Sequence, residues 1–83
     1  MKLLYFAWVR QKIGVGEETL TLPAGVVTLS GLAEFLAARG GGYGDVFGDT
    51  TRLRAAVNQT HAGFDAMLRD SDEVAFFPPM TGG

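Results

Sequence analysis

Glu73-Val74-Ala75-Phe76-Phe77-Pro78-Pro79-Met80-Thr81-Gly82-Gly83 is the stretch on which the fold turns. Its first five residues alternate, with Val74 and Phe76 on one face and Ala75 and Phe77 on the other, which is the period of a β-strand. The turn cluster Asp70-Ser71-Asp72 launches it. Two phenyl rings on opposite faces cannot both enter one small core. Phe76 shares the phase of Val74 and is assigned to the core, so Phe77 is assigned to the outer face. Each proline holds φ near about −65° and biases the residue before it toward extended backbone, so residues 77–80 are expected to project stiffly. Gly82 and Gly83 have no side chains and make a thread thin enough for a narrow channel in another protein. The expected organisation is a domain over residues 1–77 and an extended tail over 78–83.

Working backward, Leu53, Ala55 and Val57 alternate with Arg54, Ala56 and Asn58 and predict a strand. A brief further strand or turn is expected near residues 60–62. Thr28 is a good N-cap for a helix over about residues 28–39. Leu29, Leu32, Ala33 and Leu36 form its buried stripe, and Gly40 is its stop. Residues 40–51, rich in glycine, predict a mobile loop or a single helical turn around Val46 and Phe47. Residues 18–22 read as a half-buried strand carrying Leu20 and Leu22, ended by Pro23 and Gly25. Residues 2–10 read as one strand. Lys2, Leu4, Phe6, Trp8 and Arg10 are its solvent face, and Leu3, Tyr5, Ala7 and Val9 point inward.

The chain is 83 residues long, 47% hydrophobic and 19% charged, which fits one ordered domain rather than a disordered segment. The net charge is −2 and the seven basic residues are scattered, so nucleic acid lacks its electrostatic footprint. There is no cysteine, which excludes disulfides, thiolate catalysis and cysteine metal clusters. That usage points to the cytoplasm. No apolar run approaches the ~20 residues of a membrane span.

The order β-β-α-β-(β)-β is an α+β arrangement. It resembles the ubiquitin-like β-grasp, a mixed sheet of four to five strands with one main helix packed on one face. In that topology the first and last strands lie parallel at the centre, making outward Phe6 and Phe77 neighbours in an apolar patch at the root of the tail.

Three segments carry a more specific resemblance. Asp70-Ser71-Asp72-Glu73-Val74-Ala75-Phe76-Phe77-Pro78-Pro79-Met80-Thr81-Gly82-Gly83 resembles the C-terminal signature of the small, sulfur-carrying subunits of molybdopterin synthase. Tyr5-Phe6-Ala7-Trp8-Val9-Arg10 and Ala55-Ala56-Val57-Asn58-Gln59-Thr60 match the same family. The likeness spans nearly the whole chain, although residues 40–51 are not diagnostic.

The resemblance implies that an E1-like adenylyltransferase uses ATP and magnesium to convert the Gly83 carboxylate to an acyl-adenylate. A sulfur-donor protein then displaces AMP, leaving a thiocarboxylate that delivers sulfur to cyclic pyranopterin monophosphate inside the large synthase subunit. The implied assembly is a heterotetramer of two small and two large subunits. No cofactor is expected on this chain, and catalytic acid and base groups are expected on the large subunit, so the chain is not an enzyme on its own. Pro78, Pro79, Met80, Thr81 and Gly82 would thread; Phe77, Phe6, Arg10 and His61 would dock.

Physical chemistry independent of the family agrees with this use of Gly83. An α-carboxyl has a reference pKa of about 3.3–3.7, so at neutral pH it is an anion and a poor acceptor for nucleophiles until adenylation activates it. With no thiol side chain, the terminal acyl carbon is the natural place for covalent sulfur. Competing readings are a ubiquitin-fold carrier for thiazole formation or tRNA thiolation, a protein modifier joining Gly83 to lysine, and an interaction module whose tail never reacts.

Other candidates are weaker. His61 has no neighbouring nucleophile in sequence, and the family would more often have an apolar group there. Asp70, Asp72 and Glu73 lack EF-hand spacing and its closing glutamate, so no metal site is expected. Gly40-Gly41-Gly42-Tyr43-Gly44 lacks the lysine and Ser/Thr of a P-loop.

Overall fold

A computed structural model describes residues 1–79; residues 80–83, which include the expected threading positions Met80, Thr81 and Gly82 and the expected reactive Gly83, lie outside the described residues. Five strands form one mixed sheet: β1 (Lys2–Tyr5), β2 (Glu17–Thr19), β3 (Arg54–Val57), β4 (Thr60–Ala62) and β5 (Glu73–Phe77), in the order β2-β1-β5-β3-β4. β1 and β5 run parallel in the centre, with Leu3 opposite Val74 and Tyr5 opposite Phe76; the other pairings are antiparallel. The central parallel pair is thus as the β-grasp reading expected.

The sheet has two unlike faces. Leu3, Tyr5, Ala55, Val74 and Phe76 point to the core, all buried. The longest helix, α2 (Leu29–Ala37), contributes Leu29, Leu32, Ala33 and Leu36 to that core, the four positions its periodicity assigns. The Thr28 hydroxyl accepts a hydrogen bond from the Gly31 N–H at 3.1 Å, satisfying one of the orphan donors of the first turn. α2 closes a little before Gly40, which adopts φ 76° and begins the next helix.

Three expectations are corrected. The first strand ends at Tyr5 instead of running to Arg10. Ala7–Ile13 is a helix, α1, which closes at Gly14 in the left-handed region with φ 97°. The hydrophobic phase changes there: after Leu3 and Tyr5 the buried position is Val9, followed four residues later by Ile13 packed against the core, which is helical spacing. Ala7, expected to point inward, is exposed, and Arg10 belongs to a helix and not to a strand end.

Residues 40–51 hold a helix of nearly two turns, α3 (Gly41–Phe47), and a 3₁₀ turn over Thr50–Arg52, where a loop or single turn was expected. Val46 and Phe47 are buried, and Phe47 meets Phe76 edge-on at 4.8 Å, so core packing overrides the low helix propensity of glycine. A Cβ on Gly42 would stand 1.8 Å from the carbonyl oxygen of Lys12, so this glycine permits the close approach of α3 to the end of α1. Finally, β2 is shorter and earlier than the segment 18–22. The alternation nevertheless persists: Glu18, Leu20 and Leu22 are half-buried while Glu17, Thr19 and Thr21 are exposed.

Candidate functional site

The face of the sheet opposite the core carries Leu4, Ala75, Phe77, Ala56, Arg54 and His61, as the strand alternation and registers require. Ala75 lies between Leu4 on β1 and Ala56 on β3, and Ala56 lies opposite His61 on β4, giving a row across four strands. Phe77 ends β5 on this face, half-buried. His61 meets it edge-on with ring centroids 5.4 Å apart. Phe76 is fully buried, so the assignment of the two phenyl rings to opposite faces holds.

Phe6 is 48% exposed and extends β1: its N–H donates to the Phe76 carbonyl at 3.2 Å. The parallel register therefore carries Phe6 to the position beside Phe77. The structure also brings Phe6 and Arg10 into one groove with Leu4 and Glu17. A Cβ on Gly16 would lie 3.2 Å from the Arg10 guanidinium, so Gly16 leaves room for this side chain to fold back over the entrance to β2. Phe6, Arg10, Phe77 and His61, dispersed in sequence, thus border one open surface, from whose edge Pro78 and Pro79 continue the chain with no regular structure. The sequence reading missed Leu4's neighbour Ala75, buried Ala56, and Arg54. Their phase in the strands was the available signal.

A second cleft, of about 460 Å³, is lined by Trp8, Lys12, Asp45, Asp49 and Arg52. Its mixed charges come from α1, α3 and the 3₁₀ segment. Among the described residues there is no cluster of three or more metal-ligating side chains, and no helix is long and apolar enough to cross a membrane.

Behind the open face a polar cluster locks the scaffold. The Glu18 carboxylate accepts hydrogen bonds from the hydroxyls of Tyr5 (2.9 Å) and Tyr43 and from Arg39 Nη1 (2.8 Å), tying β1, β2, α3 and the end of α2 together. Burial pushes the Glu18 carboxyl up, but the bonds from Arg39, Tyr43 and Tyr5 outweigh it and hold the group below the usual carboxylate range. Burial and then the bond to Glu18 push the Tyr5 hydroxyl far up, so it stays a neutral donor. The Arg39 guanidinium also lies 4.8 Å from the centre of the Tyr43 ring, a cation–π contact.

A mixed sheet with a parallel central pair, helices on one face and an open opposite face defines a ubiquitin-like β-grasp protein. The fold matches that of SAMP1 from Haloferax volcanii with a TM-score of 0.75 at 24% identity, covering 100% of this chain and 98% of that one. It also matches a putative molybdopterin converting factor, subunit 1, from Pyrococcus furiosus, with a TM-score of 0.76, 32% identity and 95% of each chain covered.

The chain belongs to the ThiS family, whose sequence model matches residues 3–83. Among curated relatives it is similar to the molybdopterin synthase sulfur carrier subunit of Escherichia coli (strain K12), 42% identical over 83 residues, spanning all of this chain and 99% of that protein.

Proposed function

We propose that this protein is the sulfur-carrying small subunit of a molybdopterin synthase, acting as a tethered co-substrate. The full-length likeness to a curated sulfur carrier subunit carries the reading. It is supported by the Phe-Phe-Pro-Pro-x-Thr-Gly-Gly ending and by an open sheet face at whose margin that ending begins.

An E1-like enzyme activates the Gly83 carboxylate with ATP and magnesium: the carboxylate oxygen attacks the α-phosphate, pyrophosphate leaves, and a glycyl adenylate forms. Sulfide-level sulfur delivered by a donor then attacks the acyl carbon and AMP departs with the bonding electrons, leaving a thiocarboxylate. The loaded tail enters the large subunit, which supplies acid, base and pterin contacts. Sulfur passes to cyclic pyranopterin monophosphate, and hydrolysis of the remaining acyl linkage restores the carboxylate. Two such deliveries build the dithiolene.

Each residue has a physical part in this scheme. Gly83 carries the sulfur, and its lack of a side chain lets nucleophile and pterin approach closely. Gly82 provides clearance, Thr81 and Met80 lie along the thread, and Pro78 and Pro79 hold its base extended. Phe77 and Phe6 supply the apolar docking surface, His61 widens it, and Arg10 clamps an acidic group at its edge. The activating enzyme and the large subunit need the same tail, so they bind in turn, in the cytoplasm. Gly83→Ala tests the assignment in single-turnover assays of charging and transfer. The expected result is an unchanged melting temperature with slowed charging or transfer; wild-type rates at every step contradict it.

A further inference from the structure

The open face carries a guanidinium on each side of its apolar strip, Arg10 beside Phe6 and Arg54 opposite Phe77. On its β1–β2 half, Lys2 and Glu17 neutralise one another at 3.6 Å. On its β3–β4 half, Arg54 stands opposite Phe77, exposed, and its Nη1 donates to the carbonyls of Thr51 (3.3 Å) and Leu53 (3.0 Å). Among the described residues no carboxylate lies within 4.0 Å of this guanidinium. His61, exposed on β4, touches Phe77 from the neighbouring strand. On its β3–β4 side the apolar end of β5 is therefore flanked by a guanidinium, held in place by backbone carbonyls, and an imidazole.

We infer that the partner surface covering Phe77 presents a carboxylate to Arg54, with the His61 ring as a secondary contact. The inference rests on the docking role proposed above and deepens it. A surface that covers Phe77 also covers the imidazole in contact with it and the guanidinium opposite it. A guanidinium keeps its charge under all ordinary conditions, so covering it without an anion leaves a desolvated cation and unpaired N–H donors. Two carbonyl bonds to Nη1 leave the remaining nitrogens for a carboxylate, which matches the guanidinium fork. A nucleic-acid backbone fits poorly, because Glu17 and Glu73 share the face and the net charge is −2. The fitting partner is a protein surface with an apolar centre and an acidic margin over β3 and β4.

The test is the association of the full chain with the large synthase subunit of the same organism, followed by stopped flow and calorimetry at low and high salt. Arg54→Leu is expected to lower affinity at low salt roughly threefold or more, mainly through slower association, and to flatten the salt dependence. Arg54→Glu weakens binding further, Arg54→Lys restores part of it, and His61→Leu gives a smaller loss. Arg54 is exposed, so unchanged thermal melting separates these effects from misfolding. Wild-type affinity and salt dependence in both Arg54→Leu and Arg54→Glu overturn the inference and leave the proposed function standing. Failure of the wild-type chain to bind that subunit overturns both.

Discussion

Glu18 gathers three donors, from Tyr5, Tyr43 and Arg39, on one carboxylate, and its loss leaves two tyrosine hydroxyls and a guanidinium without their acceptor. Glu18→Ala is expected to destabilise the fold by about 1–3 kcal/mol in urea titrations, because hydrogen bonds to a charged group are stronger than neutral ones. The sign of the pH effect follows from the lowered carboxyl. The folded state favours the ionised form, so this stabilisation is complete above the unfolded-state value of about 4.3 and is lost as pH falls through the folded-state value. Urea midpoints are therefore expected to fall more steeply with acid in the wild type than in Glu18→Gln. At the other end of the molecule, replacing Phe77 with Asp is expected to weaken complex formation with the large subunit without a large change in melting temperature. Phe77 is half-buried on the open face, whereas fully buried Phe76 is the ring whose truncation costs about 3–5 kcal/mol. A collapsed melting transition in Phe77→Asp returns that ring to the core.

Elements differ in how openly they announce themselves. α2 and β5 are legible because cap, stripe and alternation agree: Thr28 caps, Leu29, Leu32, Ala33 and Leu36 bury, and Val74 and Phe76 share a phase. α1 is concealed because Tyr5, Ala7 and Val9 continue a period of two by coincidence, while Val9 and Ile13 in fact follow a helical repeat. α3 is concealed more deeply. Its glycines read as loop, yet Gly42 is there because a helix must pass against the Lys12 carbonyl, a contact between segments 30 residues apart that no local pattern encodes. Gly42→Ala is accordingly expected to destabilise by about 1–3 kcal/mol, measured by chemical denaturation, by forcing α1 and α3 apart. A substitution that leaves the denaturation midpoint unchanged removes this account of the glycine.

At the scale of the whole molecule, the parallel pairing of β1 and β5 links fold to proposed function. It carries Phe6 to the side of Phe77, and the β5–β3–β4 order adds Arg54 and His61. Strand parity points to Phe77, the expected β-grasp topology to Phe6, and position beside them to Arg10 as docking groups, while His61 departs from the apolar group the family has more often. Their assembly on one open surface is a property of sheet order, and the place of Arg54 opposite Phe77 emerges only once the registers are known. In the proposed scheme the sheet is the platform from which the tail departs and Gly83 is the residue that carries sulfur, so the decisive test falls on the last residue. The most direct measurement is top-down mass spectrometry of the protein after incubation with its activating enzyme, ATP, magnesium and a sulfur donor. Fragmentation must localise the change, since methionine oxidation adds nearly the same mass as exchange of oxygen for sulfur. The account predicts one oxygen replaced by sulfur at Gly83, lost again when the large subunit and cyclic pyranopterin monophosphate are added; an unmodified Gly83, or one joined to lysine, contradicts it.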